Sequence, residues 1–218
     1  MTRVKICCIT SRDEARLAIR WGASALGLVS EMPSGPGVIP ESLIGEIAAT
    51  VPPPVASFLL TSATDPEEII AQQKRSRTNT IQLVDRLAAG VLAGLRRRLP
   101  GVSLVPVVHV TGDESLAEAR EAADQGAHAL LLDSGNRELP VKELGGTGRT
   151  HDWSVSARIV GSLPVPVFLA GGLDHTNVGE AIAAVRPFAV DVCTGVRSAG
   201  ALDEQKLILF MKAVAAAG

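Results

Sequence analysis

Short apolar runs alternate with amphipathic stretches along the whole chain. The runs have the length and composition of strands, and they span residues 4–9, 25–30, 55–60, 80–84, 104–110, 129–133, 165–170 and 189–194. Between them, apolar residues recur at helical spacing over residues 11–21, 41–50, 65–73, 113–125 and 203–216. Two of these helices begin with capping signals, because Glu14 follows Ser11 by three residues and Asp65 precedes Pro66.

The regular order of strand and helix predicts the fold class. A strand followed by a helix, repeated eight times, is typical of parallel strands joined by crossover helices. The repeat of roughly 25 residues favours closure into an α/β protein of the (β/α)8 TIM-barrel type. A doubly wound open sheet is the main alternative, but that fold does not explain eight strand–helix units of equal length. Because no linker divides the chain, we expect a single barrel domain over residues 1–218.

Composition and charge exclude several classes of function. Of 218 residues, 46% are hydrophobic and 3% aromatic, which suits layers of small aliphatic side chains inside a parallel sheet. The net charge of −2 gives no sign of the excess of basic residues that is typical of nucleic-acid binding. No apolar run is long enough to span a membrane. The three cysteines form a poor disulfide framework, so we expect a cytoplasmic protein without nucleic-acid or membrane partners.

The first strand, in KICCIT, carries a charge and two thiols. Alternation predicts that Lys5 and Cys7 point into the barrel, while Ile6 and Cys8 face the helices. A lysine inside a barrel needs an anion. We predict that this anion is Asp191, because the eighth strand closes beside the first and Asp191 lies at a similar depth.

Asp133 ends the sixth strand at the same rim as Cys7. A thiolate and a carboxylic acid on opposite sides of a barrel mouth suit proton removal at one atom and donation at another. Taken singly, Cys7 could be a small buried hydrophobe and Asp133 a loop cap. Their position at two strand ends favours a catalytic pair.

Glycines follow the last two strands, in FLAGGL and VCTGV. Barrels commonly hold phosphate there, so we interpret Gly171, Gly172, Thr194 and Gly195 as a phosphate cradle, with tight turns as the alternative. The long connections over residues 31–40 and 134–153 are expected to lie at the functional face, with the GGTG stretch of 145–148 as a lid hinge. These features predict an acid/base enzyme for a small phosphorylated substrate, with neither cofactor nor metal.

The motifs resemble the phosphoribosylanthranilate isomerase family nearly end to end. KICCIT is similar to the family's KICGIT, and ASALGLV, TIQLV, HALLLDS, GGTGRTHDW, PVFLAGGLDHTNVGEAI and VDVCTGV follow in the family's order. The resemblance implies a (β/α)8 barrel, a monomer or homodimer, that performs an Amadori rearrangement of N-(5-phosphoribosyl)anthranilate in tryptophan biosynthesis. It assigns the general base to Cys7, the general acid to Asp133 and phosphate contacts to Gly172, Thr194 and Gly195, and it adds Gln82 to the substrate-binding set.

Several positions depart from the family pattern. Cys8 replaces a glycine, Val84 a histidine, Cys193 a serine and His151 a phenylalanine. These changes alter side chains around the expected mouth while the base and the acid are kept.

The most consequential departure lies in the second loop. The family has an arginine there that holds the anthranilate carboxylate, and Pro36 stands at about its position beside an added acid, Glu31. Arg12, Arg137 or Arg149 could substitute from other loops. Two alternatives to the isomerase therefore stay open: a paralogue acting on a different phosphosugar, and a non-catalytic phosphate-binding barrel.

Overall fold

The computed structural model describes residues 1–135, 142, 144 and 148–218. Within these residues, eight parallel strands close a barrel in sequence order, as predicted. The strands are Arg3–Ile6 (β1), Ala25–Val29 (β2), Ala56–Thr61 (β3), Thr80–Leu83 (β4), Ser103–His109 (β5), Leu130–Asp133 (β6), Val167–Leu169 (β7) and Ala189–Val192 (β8). Each predicted strand overlaps an observed one, with ends that differ by a few residues.

The described helices cover the outside of this barrel. They are Arg12–Arg20 (α1), Glu41–Ala48 (α2), Pro66–Ser76 (α3), Val91–Arg98 (α4), Glu114–Asp124 (α5), Trp153–Ser162 (α6), Val178–Val185 (α7) and Glu204–Ala217 (α8). The predicted caps form: Ser11 Oγ accepts a hydrogen bond from the Glu14 N–H at 3.1 Å, and Asp65 Oδ1 accepts from Glu67 and Glu68 at 3.0 Å. Each cap satisfies backbone donors that a helix N-terminus leaves unpaired.

The core consists of two layers separated by the barrel wall. On β3, Leu59 packs outward against the helices, whereas Phe58 and Leu60 pack inside the barrel. The same alternation on β1 directs Ile6 outward. The inner layer therefore receives every second strand residue, and polar residues among them are buried inside the barrel.

The closure of β1 on β8 places Lys5 beside Asp191. The two residues are register partners, and Lys5 Nζ lies 2.9 Å from Asp191 Oδ1. Lys5 is fully buried, with 0% of its surface exposed. This distance confirms the predicted ion pair. It also gives the buried ammonium the charged partner that it requires.

Cys8 does not face the helices, and that expectation is wrong. The strand ends at Ile6, and Cys8 has a φ of 61°, so the alternation has already stopped. Cys8 packs with Cys7 in the inner layer at the barrel mouth. A left-handed residue reverses the direction of the chain, which turns the Cys8 side chain inward.

Described residues of both long connections line the barrel mouth. Val38 bridges to Val29 of β2, which folds the 31–40 connection back toward the strands. Ser34 Oγ donates to the Lys142 carbonyl at 2.6 Å, which joins this connection to the one after β6. Of the predicted hinge, residues 145–147 lie outside the described residues, as do 136–141 and 143. None of the helices in the described part of the chain has the length and apolar character to cross a bilayer.

Candidate active site

A cavity opens at the carboxyl ends of the strands, where barrel enzymes place their chemistry. Six of the residues proposed from the sequence line it together: Cys7, Gln82, Asp133, Gly171, Gly172 and Thr194. Gly195 lines an adjoining cavity that shares Gly172 and Thr194 with the first. The fold therefore brings together at one end of the barrel the side chains and glycines that the sequence pattern singled out.

Cys7 follows β1 at the floor of this cavity. A β-carbon on Gly27 of β2 would lie 2.7 Å from Cys7 Sγ and 3.1 Å from Lys5 Nζ, so glycine leaves the room that both groups occupy. Hydrogen bonding with the Cys8 thiol lowers the pKa of Cys7; burial opposes this effect, and the Lys5 ammonium reinforces it. The site therefore favours a thiolate at Cys7.

Lys5 keeps its charge although it is buried. Burial alone would lower the pKa of Lys5, but the carboxylate of Asp191 and the two neighbouring cysteines together outweigh burial, and the net shift is upward. A permanently positive group thus lies one layer below Cys7.

Arg197 holds the turn that carries the two thiols. Its guanidinium donates to the carbonyl oxygens of Cys7, at 3.4 Å, and of Cys8. Glu14 of α1 accepts from the same guanidinium at 3.0 and 3.1 Å. Arg197 could not be identified from the sequence pattern, because only the folded chain brings residue 197 to the end of β1.

Asp133 faces the cavity from the end of β6. Burial raises the pKa of Asp133 to about 6, although the Ser134 N–H, which donates to Asp133 Oδ1 at 2.7 Å, opposes the shift. A carboxyl group with a pKa near 6 can carry a proton close to neutral pH and can donate it.

Gln82 enters the cavity from β4. Its Oε1 atom is buried, and among the described residues it has no hydrogen-bond partner. A buried acceptor of this kind is costly unless a ligand or water supplies a donor. Gln82 is thus suited to receive a hydroxyl or amine group.

The glycines after β7 and β8 permit close backbone contacts. A β-carbon on Gly172 would lie 2.5 Å from the Arg149 carbonyl carbon, and one on Gly195 would collide with the Leu173 carbonyl oxygen. Gly171 and Gly172 have φ values of 88° and 60°, so the tight turns considered from the sequence also occur. These contacts leave a shallow, backbone-lined surface beside Thr194.

His151 lies behind Gly171. A β-carbon on Gly171 would lie 3.0 Å from His151 Nδ1, and His151 Nε2 lies 2.7 Å from Ser156 Oγ. Burial lowers the pKa of His151 to about 4, which leaves the imidazole neutral near pH 7. The residue therefore adds no charge to the site.

Lys206 supplies a cation to the adjoining cavity. This residue of α8 lines it together with Gly172, Thr194 and Gly195. Lys206 Nζ donates to the Arg197 carbonyl at 2.7 Å, which fixes the position of the ammonium at the end of this side chain. Nothing in the sequence marked Lys206, because it lies in an amphipathic helix where a lysine is usually a surface residue.

The second loop brings no arginine to the mouth. Met32, Ser34, Gly35 and Pro36 line the cavity, and among the described residues no arginine or lysine does so. Of the possible substitutes, Arg12 pairs with Glu46 at 2.9 Å on the outer surface, and Arg137 lies outside the described residues. Arg149 meets Gly172 through its backbone.

Comparisons with known proteins converge on one family. A family profile described as N-(5'phosphoribosyl)anthranilate (PRA) isomerase matches residues 4–213. The N-(5'-phosphoribosyl)anthranilate isomerase of Methanocella arvoryzae is 36% identical over 208 residues, covering 95% of both chains. That of Haloarcula marismortui is 38% identical over 209 residues, covering 95% of this chain and 93% of its own.

A solved structure extends the likeness to a ligand complex. It is a phosphoribosyl anthranilate isomerase in complex with reduced 1-(o-carboxyphenylamino)-1-deoxyribulose 5-phosphate. Its TM-score to this chain is 0.82 at 27% identity, with 99% of this chain and 100% of the other covered. The similarity therefore spans the whole barrel.

Proposed function

Because the chain belongs to the N-(5'-phosphoribosyl)anthranilate isomerase family, we propose that it converts phosphoribosylanthranilate in tryptophan biosynthesis with Asp133 as acid and Cys7 as base. The observation that supports this assignment is that one cavity holds two groups whose pKa values are shifted in opposite directions. The pKa of Asp133 is raised by burial and that of Cys7 is lowered by hydrogen bonding. Acid/base catalysis requires this combination near neutral pH.

The reaction proceeds in two proton transfers. Asp133 donates its proton to the ring oxygen of the ribose as the bond from that oxygen to C1 breaks. The lone pair of the anthranilate nitrogen then forms a C1–N double bond, which gives an iminium ion. The Cys7 thiolate removes the proton from C2, and the electron pair of that C–H bond gives an enolamine, which tautomerises to the ketone.

The remaining residues hold the substrate. Gly172, Thr194 and Gly195 form a backbone-lined surface for the phosphate, and Lys206 supplies a compensating charge. Gln82 offers its unpaired Oε1 to a hydroxyl of the opened sugar. All three cysteines are free thiols, as expected in the reducing cytoplasm in which we place this activity.

A direct assay tests the proposed function. Purified protein mixed with freshly generated phosphoribosylanthranilate should remove the substrate's anthranilate fluorescence, and the gene should restore growth to a cell that lacks this isomerase. Tight binding of the phosphate ester without turnover would contradict the proposal and favour a non-catalytic barrel.

One observation favours a second substrate. No arginine or lysine of the described residues lines the cavity, so these residues offer the anthranilate carboxylate no charge-assisted partner. A paralogue that isomerises a ribose phosphate with a different amine is therefore the alternative. A higher kcat/KM for such a compound than for phosphoribosylanthranilate would establish that alternative.

The pH dependence of kcat/KM should be bell-shaped. The reaction requires protonated Asp133, and the protonated fraction of this group falls as pH rises through its pKa of about 6. Cys7 must be ionised, so activity is expected to fall at low pH as the thiolate is protonated. The alkylation rate of Cys7 against pH gives the thiol pKa independently. A kcat/KM that keeps rising well above pH 6 would remove Asp133 from the role of acid.

Replacing Lys206 by glutamine should raise KM about 10- to 100-fold with little change in kcat. The reason is that a charged hydrogen bond to phosphate contributes about 1.5–3 kcal/mol and is made equally in substrate and transition state. Lys212→Gln, an exposed position on the same helix, is the matched control and should behave as wild type. An unchanged KM for Lys206→Gln would place the phosphate elsewhere.

A further inference from the structure

All three cysteines of the chain lie at the mouth, although only Cys7 accepts a proton in the proposed isomerisation. Cys7, Cys8 and Cys193 line the same cavity, and each is a free thiol. β1 lies beside β8, and the Cys7 N–H donates to the Val192 carbonyl at 2.8 Å, which brings Cys193 next to the two vicinal thiols. Cys7 and Cys8 belong to one packed cluster inside the barrel mouth, and Cys193 packs against that cluster.

Cys8 occupies a position that is better suited to glycine. Its φ of 61° is a left-handed conformation that a side chain disfavours. The residue opposite it, Gly37, has no room for a side chain, because a β-carbon there would lie 2.5 Å from Cys8 Cβ. The thiol is thus placed beside the catalytic base despite unfavourable backbone geometry.

We propose that Cys7, Cys8 and Cys193 form a site that hydroperoxides oxidise. After oxidation of Cys7, the catalytic base, Cys8 and Cys193 form a disulfide with each other, and Cys7 returns to its reduced form. The inference rests on the proposed role of Cys7 as the base. It goes beyond that role, because it assigns a function to Cys193 and a second one to Cys8, which in the isomerisation only lowers the pKa of Cys7.

The first step is oxidation of Cys7. Its thiolate, stabilised beside Lys5 and open to the cavity, attacks the terminal oxygen of a hydroperoxide and breaks the O–O bond. The peroxide is reduced to an alkoxide, which takes a proton and leaves as an alcohol, or as water if the oxidant is hydrogen peroxide. Cys7 becomes a sulfenic acid and can no longer accept the C2 proton.

The second step is capture by Cys8. The Cys8 sulfur attacks the Cys7 sulfur, the S–O bond breaks, and water leaves with the Cys8 proton. The product is a disulfide between adjacent residues. Because adjacent α-carbons are only about 3.8 Å apart, below the usual disulfide range of about 4.4–6.8 Å, this disulfide is strained and readily exchanged.

The third step moves the disulfide away from the base. The Cys193 sulfur attacks the Cys8 sulfur as the Cys193 thiol proton passes to water, and the S–S bond to Cys7 breaks. The electron pair stays on Cys7, which leaves as a thiolate and is the base once more. The stable product is a disulfide between Cys8 and Cys193, and Cys7 escapes further oxidation to the irreversible acids.

Peptide mapping after peroxide treatment tests the site. The reduced protein is treated with hydrogen peroxide, its remaining thiols are alkylated, and tryptic peptides are sequenced by mass spectrometry. Cleavage after Lys5 and Arg12 separates Cys7 and Cys8 from Cys193, so a cross-link between the two peptides can be identified. In the wild type we expect a Cys8–Cys193 disulfide with Cys7 alkylated. A second aliquot, treated with peroxide and then dithiothreitol but not alkylated, should have full activity.

The variants distinguish the individual steps. Cys8→Ser and Cys8→Gly should both gain two or three oxygen atoms on Cys7 and lose activity that dithiothreitol does not restore. The glycine variant suits the left-handed backbone, so the test does not depend on the serine variant folding. Cys193→Ser should stop at the Cys7–Cys8 disulfide, inactive until reduced.

Two results would overturn the inference: no intramolecular disulfide in the wild type, or equal irreversible oxidation of Cys7 in the wild type and both Cys8 variants. A different result would separate the inference from the proposed function. If the disulfides form as described but the Cys193→Ser protein stays active while Cys7 is blocked, the modification site stands and Cys7 is not the base.

Discussion

Replacing Cys7 by alanine, or Asp133 by asparagine, should lower kcat/KM by about 10²- to 10⁴-fold, the usual contribution of a positioned acid or base. Each change removes the group that accepts or donates a proton and leaves the barrel wall intact. Steady-state turnover of phosphoribosylanthranilate measures the effect. Wild-type turnover in both variants would show that neither residue takes part in the proton transfers.

A stability measurement separates catalysis from structural damage at Asp133. Burial raises its pKa from the usual 3.8 to about 6, so as pH rises the unfolded chain ionises first and the native state loses stability relative to it. This difference in pKa corresponds to about 3 kcal/mol of free energy of unfolding, and that contribution is fully lost above pH 6. Asp133→Asn does not ionise, so above pH 6 its free energy of unfolding should exceed that of the wild type. A less stable variant would indicate a structural role.

Replacing Lys5 by methionine should lower the free energy of unfolding by about 3–5 kcal/mol, because it leaves the buried carboxylate of Asp191 without its partner. The double variant Lys5→Met/Asp191→Leu should recover most of this loss, since no isolated charge remains. Urea unfolding at neutral pH measures both.

The matched control for this experiment is a surface ion pair. Arg16 lies 2.9 Å from Asp13 on exposed α1, and Arg16→Met should cost less than about 1 kcal/mol. If Lys5→Met cost no more than Arg16→Met, the buried pair would not stabilise the barrel.

Periodicity sufficed to predict the barrel and its central ion pair. Alternation along β1 directs Lys5 inward, and closure of the sheet requires β8 to lie beside β1, so Asp191 is the nearest acid of similar depth. The same reasoning places Asp133 at the rim, because a strand's last inward residue faces the mouth of a parallel barrel.

Other features of the site depend on geometry that periodicity does not contain. Cys8 turns inward because its backbone is left-handed, and alternation rules hold only within a regular strand. Arg197 reaches the carbonyls of Cys7 and Cys8 from positions 190 and 189 residues away. Lys206 lines the adjoining cavity. It lies in α8, and the apolar pattern of a helix predicts only which of its sides faces the core.

The central claim is that Cys7 and Asp133 act on one sugar phosphate from opposite sides of the barrel mouth. A crystal structure of the protein with reduced 1-(o-carboxyphenylamino)-1-deoxyribulose 5-phosphate tests it most directly. We expect the phosphate against Gly172, Gly195 and Lys206, and the sugar carbons within hydrogen-bond reach of both Cys7 Sγ and the Asp133 carboxyl group. A ligand bound with its sugar out of reach of either group would contradict the account.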